Sequence, residues 1–150
     1  MKLSKNFSLS EFTRTSHEVY QKDNAYFVEH PAIIRNLRSL CNEILQPIRD
    51  ELDKPVLINS GFRTKALNSR LSGFHNSQHM YGEAADIRIK SVGLDNAFDI
   101  IRQMPLVWGQ LILEPGWIHI SLPQCEKPYM EILQHTKKHS YEWIDKGVKL

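Results

Sequence analysis

The sequence has two cysteines in 150 residues, Cys41 and Cys125, in contexts that do not resemble each other. That excludes a disulfide framework and a cysteine-based zinc pair, so both are expected to be free thiols without a chemical role. Long apolar runs are missing too, which excludes a membrane span, and no membrane insertion is expected. Charge of one sign is also scarce. The net charge is +2 and the basic residues are scattered, so composition points to no nucleic-acid partner. The short Lys137-Lys138-His139 run reads as a solvated turn. Met1 to Phe7 carries charge but no apolar stretch of the signal-peptide kind. The expectation is synthesis in the cytoplasm without a signal peptide.

What is present is ordinary for a globular protein: 41% hydrophobic and 24% charged residues. The length fits one domain over residues 1–150, large enough to bury a core without disulfide or metal staples. Ser8-Leu9-Ser10-Glu11-Phe12 has helix-capping chemistry and predicts a short helix anchored by Phe7, Leu9 and Phe12. Residues 14 to 30 read as a polar loop with Val19, Tyr20, Tyr26 and Phe27 as anchors. Pro31 suits the first position of a helix. From there Ile33, Ile34, Leu37, Leu40, Cys41, Ile44, Leu45 and Ile48 recur at three- and four-residue spacing, predicting a helix to about Asp50 that Pro47 kinks or ends.

From residue 56 the pattern changes to strands. Pro55 to Asn59 and Ala84 to Ile89 read as strands, with a short helix from Thr64 to Leu71 between them, stopped by Ser72-Gly73. Leu94 to Met104 has helical spacing. Trp108 to Leu113 and Trp117 to Ser121 form a hairpin around Glu114-Pro115-Gly116, with Trp117, His119 and Ser121 on one face. The tail fits a closing hairpin across residues 137–140, with helix as the alternative. The fold class is therefore α+β, with a small, mainly antiparallel sheet and helices packed on one side.

Residues 60 to 86 are poor in apolar periodicity yet hold two glycine-bearing turns, Arg63, His79 and Asp86. Catalytic zinc usually takes three protein ligands from histidines and carboxylates. His79, Asp86 and His119 are candidates, since a buried carboxylate such as Asp86 needs a cation or several donors. Glu114, five residues before His119, sits at the hairpin turn. Each also has a plain reading: a satisfied histidine, a carboxylate paired with Arg63 or Arg88, an ordinary ion-pair arginine, a turn residue. His75 is a further conceivable ligand, but it would close the open coordination position. His17, His30, His135 and His139 have no partner spacing and read as surface residues.

Three blocks occur in order: Ser60-Gly61-Phe62-Arg63-Thr64, then Asn76-Ser77-Gln78-His79-Met80-Tyr81-Gly82-Glu83-Ala84-Ala85-Asp86, then Glu114-Pro115-Gly116-Trp117-Ile118-His119-Ile120-Ser121. Together they resemble the signature blocks of the zinc D-Ala-D-Ala carboxypeptidase family over about residues 5 to 125. The likeness is greatest to the compact peptidase domain of phage and prophage proteins. The resemblance implies the fold shared with the hedgehog signalling domain and one zinc ion held by His79, Asp86 and His119. Arg63 would hold a substrate carboxylate or polarise its carbonyl. Glu114 aligns with the acid/base position, although relatives place that group at different offsets from the last ligand.

Ser77, Gln78, Tyr81 and Trp117 are candidates to line the substrate pocket. The activity implied is hydrolysis of peptidoglycan stem peptides by water activated at zinc, of carboxypeptidase or murein endopeptidase type. The alternative is a zinc-stabilised binding or structural module without catalysis. A monomer is expected, reaching the wall through lysis, a holin or a phage or prophage particle.

Overall fold

The structure is a computed structural model that describes residues 1–136 and 140–148. The Lys137-Lys138-His139 run lies outside the described residues. Helix α1 (Leu9–Thr13) starts at Ser8, whose backbone N–H donates to Glu11 Oε2 at 2.7 Å, and Phe7 and Phe12 are buried beside it. Helix α3 (Pro31–Ser39) runs without a break through a π-helical turn at Leu40–Leu45 into α4 (Gln46–Leu52). The reason is Pro47. A proline inside a helix has no N–H for the residue four back and crowds that carbonyl. The backbone widens just before it, the Gln46 N–H reaching Cys41 O five residues back, and the helix continues instead of ending. The left-handed Asp53 (φ 46°) stops it.

Residues 14 to 30 differ from the sequence expectation. They contain a 3₁₀ turn at Glu18–Tyr20 and helix α2 (Gln21–Phe27), and three of the four expected anchors are not anchors: Val19, Tyr26 and Phe27 are 87%, 75% and 54% exposed, while Tyr20 is half-buried. Asn24 and Val28 are buried instead. Asn24 works through hydrogen bonds. Its Nδ2 donates to Thr13 O and Phe62 O at 3.3 and 3.2 Å, and its Oδ1 accepts from Thr64 N at 3.1 Å. An apolar periodicity search misses a segment tied down by an amide.

Six strands form one sheet: β1 (Val56–Ser60), β2 (Ala84–Ile89), β3 (Gln110–Leu113), β4 (Ile118–Ser121), β5 (Tyr129–His135) and β6 (Tyr141–Val148). Their order is β1-β2-β4-β3-β5-β6, and every neighbouring pair is antiparallel except β3 and β5. The tail is thus the closing hairpin, not a helix. Helix α5 (Lys65–Arg70) links β1 to the loop before β2, and α6 (Leu94–Ile101) connects β2 to β3.

Strand side chains alternate between faces, and that alternation organises the molecule. Val56, Ile58, Ala85, Ile87, Ile89, Leu111, Ile118 and Ile120 join one buried cluster with Leu37, Leu40, Ile44, Leu45 and Ile48 of the helical arm and Phe98 and Ile101 of α6. The fold is α+β, with the main helices on that face. The opposite face carries Asp86, Gln110, Ile112, His119, Glu131 and Leu133, and it forms the floor of a cleft. Helix α5 contributes Leu67 to the cleft rather than to the main core.

Candidate metal centre

Strand register brings two of the three candidate ligands together. Asp86 on β2 and His119 on β4 are direct cross-strand partners, so their side chains are neighbours on one face. His119 Nδ1 lies 2.9 Å from Asp86 Oδ1. The third arrives from a loop. Ser77 caps a 3₁₀ turn at Gln78–Tyr81 that holds His79, and Gly82 (φ 71°) turns the chain straight into β2. A side chain at Gly82 would meet Ile33 O at 2.9 Å and strain the left-handed backbone, which accounts for glycine in the His-x-x-Gly spacing.

The His79 loop and the Arg63 loop are tied to each other twice. Arg63 N donates to His79 O at 3.1 Å, and His79 Nδ1 lies 2.7 Å from Gly61 O. The carbonyl can only accept, so Nδ1 carries the proton and Nε2 keeps its lone pair. That Nε2 faces Asp86 Oδ1 at 3.3 Å. The donor atoms of His79, Asp86 and His119 all lie within 4.8 Å of one another. Two imidazoles and a carboxylate are a donor set that zinc favours, and three is the number a catalytic zinc site takes from protein. An imidazole whose second nitrogen is pinned to a backbone carbonyl is the usual support for a metal ligand. The residues fit a metal ion.

Charge agrees with that reading. Burial pushes the His79 pKa down against the pull of Asp86, keeping the ring neutral and able to donate its lone pair. Burial alone would raise the Asp86 carboxyl, but the hydrogen bond with His119 helps hold it well below the usual range. Arg63 acts in the same direction, its Nη2 donating to Asp86 Oδ2 at 2.9 Å. Burial lowers the Arg63 pKa, opposed by Asp86. The Arg63 Nε donates to Ser60 Oγ at 2.9 Å, so two of its five N–H groups hold the site in shape. Of the ordinary readings of Asp86, pairing with Arg63 holds alongside the metal geometry.

The cleft has a volume of about 1240 Å³ and is lined by Arg63, Ser77, Gln78, His79, Asp86, Glu114, Trp117 and His119 among others. Gln78 is itself held, its Nε2 donating to Leu122 O at 2.9 Å. Tyr81 is not in the lining. Its carbonyl accepts from Asn36 Nδ2 on α3, and the left-handed Gly82 turns the chain away directly after it. His75 is exposed and stands outside the three-residue cluster.

Glu114 closes the hairpin turn, its N–H donating to Trp117 O at 3.0 Å. Burial raises its pKa, while a hydrogen bond from Tyr141 and the nearby His119 pull it down. Tyr141 Oη lies 3.0 and 3.3 Å from the two Glu114 carboxylate oxygens. Burial and that carboxylate push the Tyr141 hydroxyl up to about 12, so it remains a donor through the neutral range.

Sequence reasoning missed three polar cleft residues on the C-terminal hairpin: Glu131, His135 and Tyr141. His135 is not merely a surface residue, since it lines the cleft with its ring edge-on to Tyr141 at 5.3 Å. His30 has a role of another kind, its Nδ1 accepting the Ala32 N–H at 3.2 Å to cap α3. The period-two pattern of β5 was readable. Which strand it would lie against was not.

An α+β sheet whose open face gathers two histidines and an aspartate in a cleft offers a donor set for one metal ion. The Peptidase M15 family model matches residues 5–121, and the chain belongs to that peptidase family. Over 50 residues the chain is 48% identical to a zinc D-Ala-D-Ala carboxypeptidase of Streptomyces albus G, a stretch covering 33% of this chain and 20% of that protein. The chain thus matches about a fifth of that relative's length. No helix among the described residues is long and apolar enough to cross a membrane.

Proposed function

We propose that this protein is a zinc peptidase that hydrolyses peptide bonds in peptidoglycan stem peptides, as a D-Ala-D-Ala carboxypeptidase or a murein endopeptidase. The observation that carries the reading is the meeting of His79, Asp86 and His119 on the floor of a cleft that Glu114 and Arg63 also line. His79, Asp86 and His119 would hold the ion. Zinc bound in such a site acts as a Lewis acid and brings the pKa of a coordinated water towards about 7.

The chain's own residues supply the rest. Glu114 would accept a proton from the attacking water and return it to the leaving amine, the task of a carboxylate whose pKa burial has raised. Tyr141 would keep that carboxylate aimed and ionised near neutrality. Arg63 would use its remaining N–H groups on the substrate carbonyl or terminal carboxylate, where its fork is better suited than an ammonium. Trp117, Ser77 and Gln78 would border the peptide. The name of the relative supports the substrate class.

The test is zinc analysis of the purified protein, then incubation with synthetic stem peptides with and without a chelator. The expected outcome is about one zinc per chain and peptide cleavage that chelation abolishes and zinc restores. A protein that holds zinc and binds the peptides without releasing product would instead be the non-catalytic module. A chain without zinc affinity would end the proposal.

A further inference from the structure

The cleft floor carries a second carboxylate that the proposed reaction does not use. Glu131 stands on β5, on the face shared by Gln110 and His119, and is 7% exposed. Among the described residues its side-chain hydrogen-bond partner is Gln110, whose Nε2 donates to Oε2 at 2.9 Å. Among the described residues Oε1 has no hydrogen-bond partner and the carboxylate has no ion pair. Two lysines are near it, Lys127 in the cleft lining and Lys146 directly opposite on β6, and neither forms an ion pair with it among the described residues. Oε1 is not among the buried side-chain atoms that lack a partner, so it stays open to the cleft, where an entering cation would meet it.

Register sets the position. Glu131 is opposite Gln110 on β3, and Ile112, two residues along, is opposite His119 on β4. Two strand spacings of about 4.8 Å and two residues of about 3.4 Å put the Glu131 and His119 backbones about 12 Å apart. An extended peptide advances about 3.3 Å per residue. A substrate reacting beside His119 would therefore bring a group to Glu131 within about four residues, or within two if a long side chain completes the reach.

We propose that Glu131, oriented by Gln110, is a subsite for a primary ammonium group of the substrate, from the side chain of a diamino residue or from a free amino terminus. The proposal rests on the peptidase reading. Three otherwise identical stem peptides test it: one with a free side-chain amine and blocked amino terminus, one with the reverse, and one with both amines acetylated. Wild-type protein should favour one amine-bearing peptide over the doubly acetylated one by about tenfold or more in kcat/KM.

Glu131→Gln keeps the volume and a hydrogen-bonding amide opposite Gln110 while removing the charge, and it should bring that ratio close to one. The favoured peptide identifies the source of the ammonium. A wild type that treats all three alike, or an E131Q protein that keeps the preference, would overturn the subsite. If none is cleaved, the peptidase reading fails by itself. Kd values for the same three peptides, measured by calorimetry on the zinc-loaded protein, then decide the subsite by the same ratio. Should E131Q fold poorly, the wild-type ratio still decides, since absence of a preference rules the subsite out.

Discussion

The two faces of the central sheet come from the same strands, taken residue by alternate residue, and they hold opposite chemistries. On β2 and β4, Ala85, Ile87, Ile118 and Ile120 are fully buried against the helices, while Asp86 and His119 between them face the cleft. The core face is held by area removed from water, which any well-fitting apolar side chain can supply. The cleft face depends on particular partners: Gly61 for His79, Arg63 for Asp86, Tyr141 for Glu114. Neighbouring residues on one strand should therefore fail in different ways, one through stability and the next through chemistry.

The sharpest contrast is expected at β4. His119→Ala removes one of three donors, and zinc content should fall well below one per chain with hydrolysis reduced to background. The metal-free variant should melt close to metal-free wild type, because Asp86 keeps Arg63 as a partner. Zinc retained at full stoichiometry would break the comparison. Glu114→Gln should lower kcat by roughly 10²–10⁴-fold, the usual worth of a general acid/base, with zinc content unaltered. Unchanged turnover would remove Glu114 from the reaction.

On the other face, Ile87→Ala should cost about 2–5 kcal/mol in denaturant unfolding, because it opens a cavity in a fully buried site. Turnover per folded molecule should be retained. A smaller effect is expected from Tyr141→Phe, read in the pH–rate profile. The Tyr141 hydroxyl lowers the raised pKa of Glu114, so its loss lets that pKa climb further. A base works only when deprotonated, so the acidic limb of kcat/KM should move to higher pH. A limb that stays in place or moves down would separate Tyr141 from the chemistry.

The smallest effect concerns the thiols. Exposed Cys125 should react at once with a thiol reagent. Cys41, whose thiol burial pushes up to about 12, should react only on unfolding. Its folded pKa lies above the unfolded value, so its contribution to stability is complete below about pH 9 and is lost as pH rises towards 12.

Much of this contrast was legible before folding was considered. The alternation in Ile118-His119-Ile120 already separates the two faces, and the span of β2 follows from composition and bounding turns. The helical arm was legible as well, although the π turn that lets it pass Pro47 was not. Asn24 escaped notice because its role lies in three hydrogen bonds to distant backbone atoms. Tyr81, a candidate for the pocket, is not in the cleft lining, since a residue's nearness in sequence to His79 does not fix where its ring goes.

The sequence by itself determined the inventory and the local geometry: which residues can ligate, which turns need glycine, and which side of each strand is apolar. These depend on chemistry within a few residues, where period and propensity act. The tertiary structure alone decided who meets whom. Asp86 faces His119 because β2 pairs with β4, while Tyr141, His135 and Glu131 reach the cleft because β5 lies parallel to β3 and carries β6 with it. Pairing of distant strands depends on how the whole core packs, since one register buries every apolar face at once and a slip of one residue would expose them.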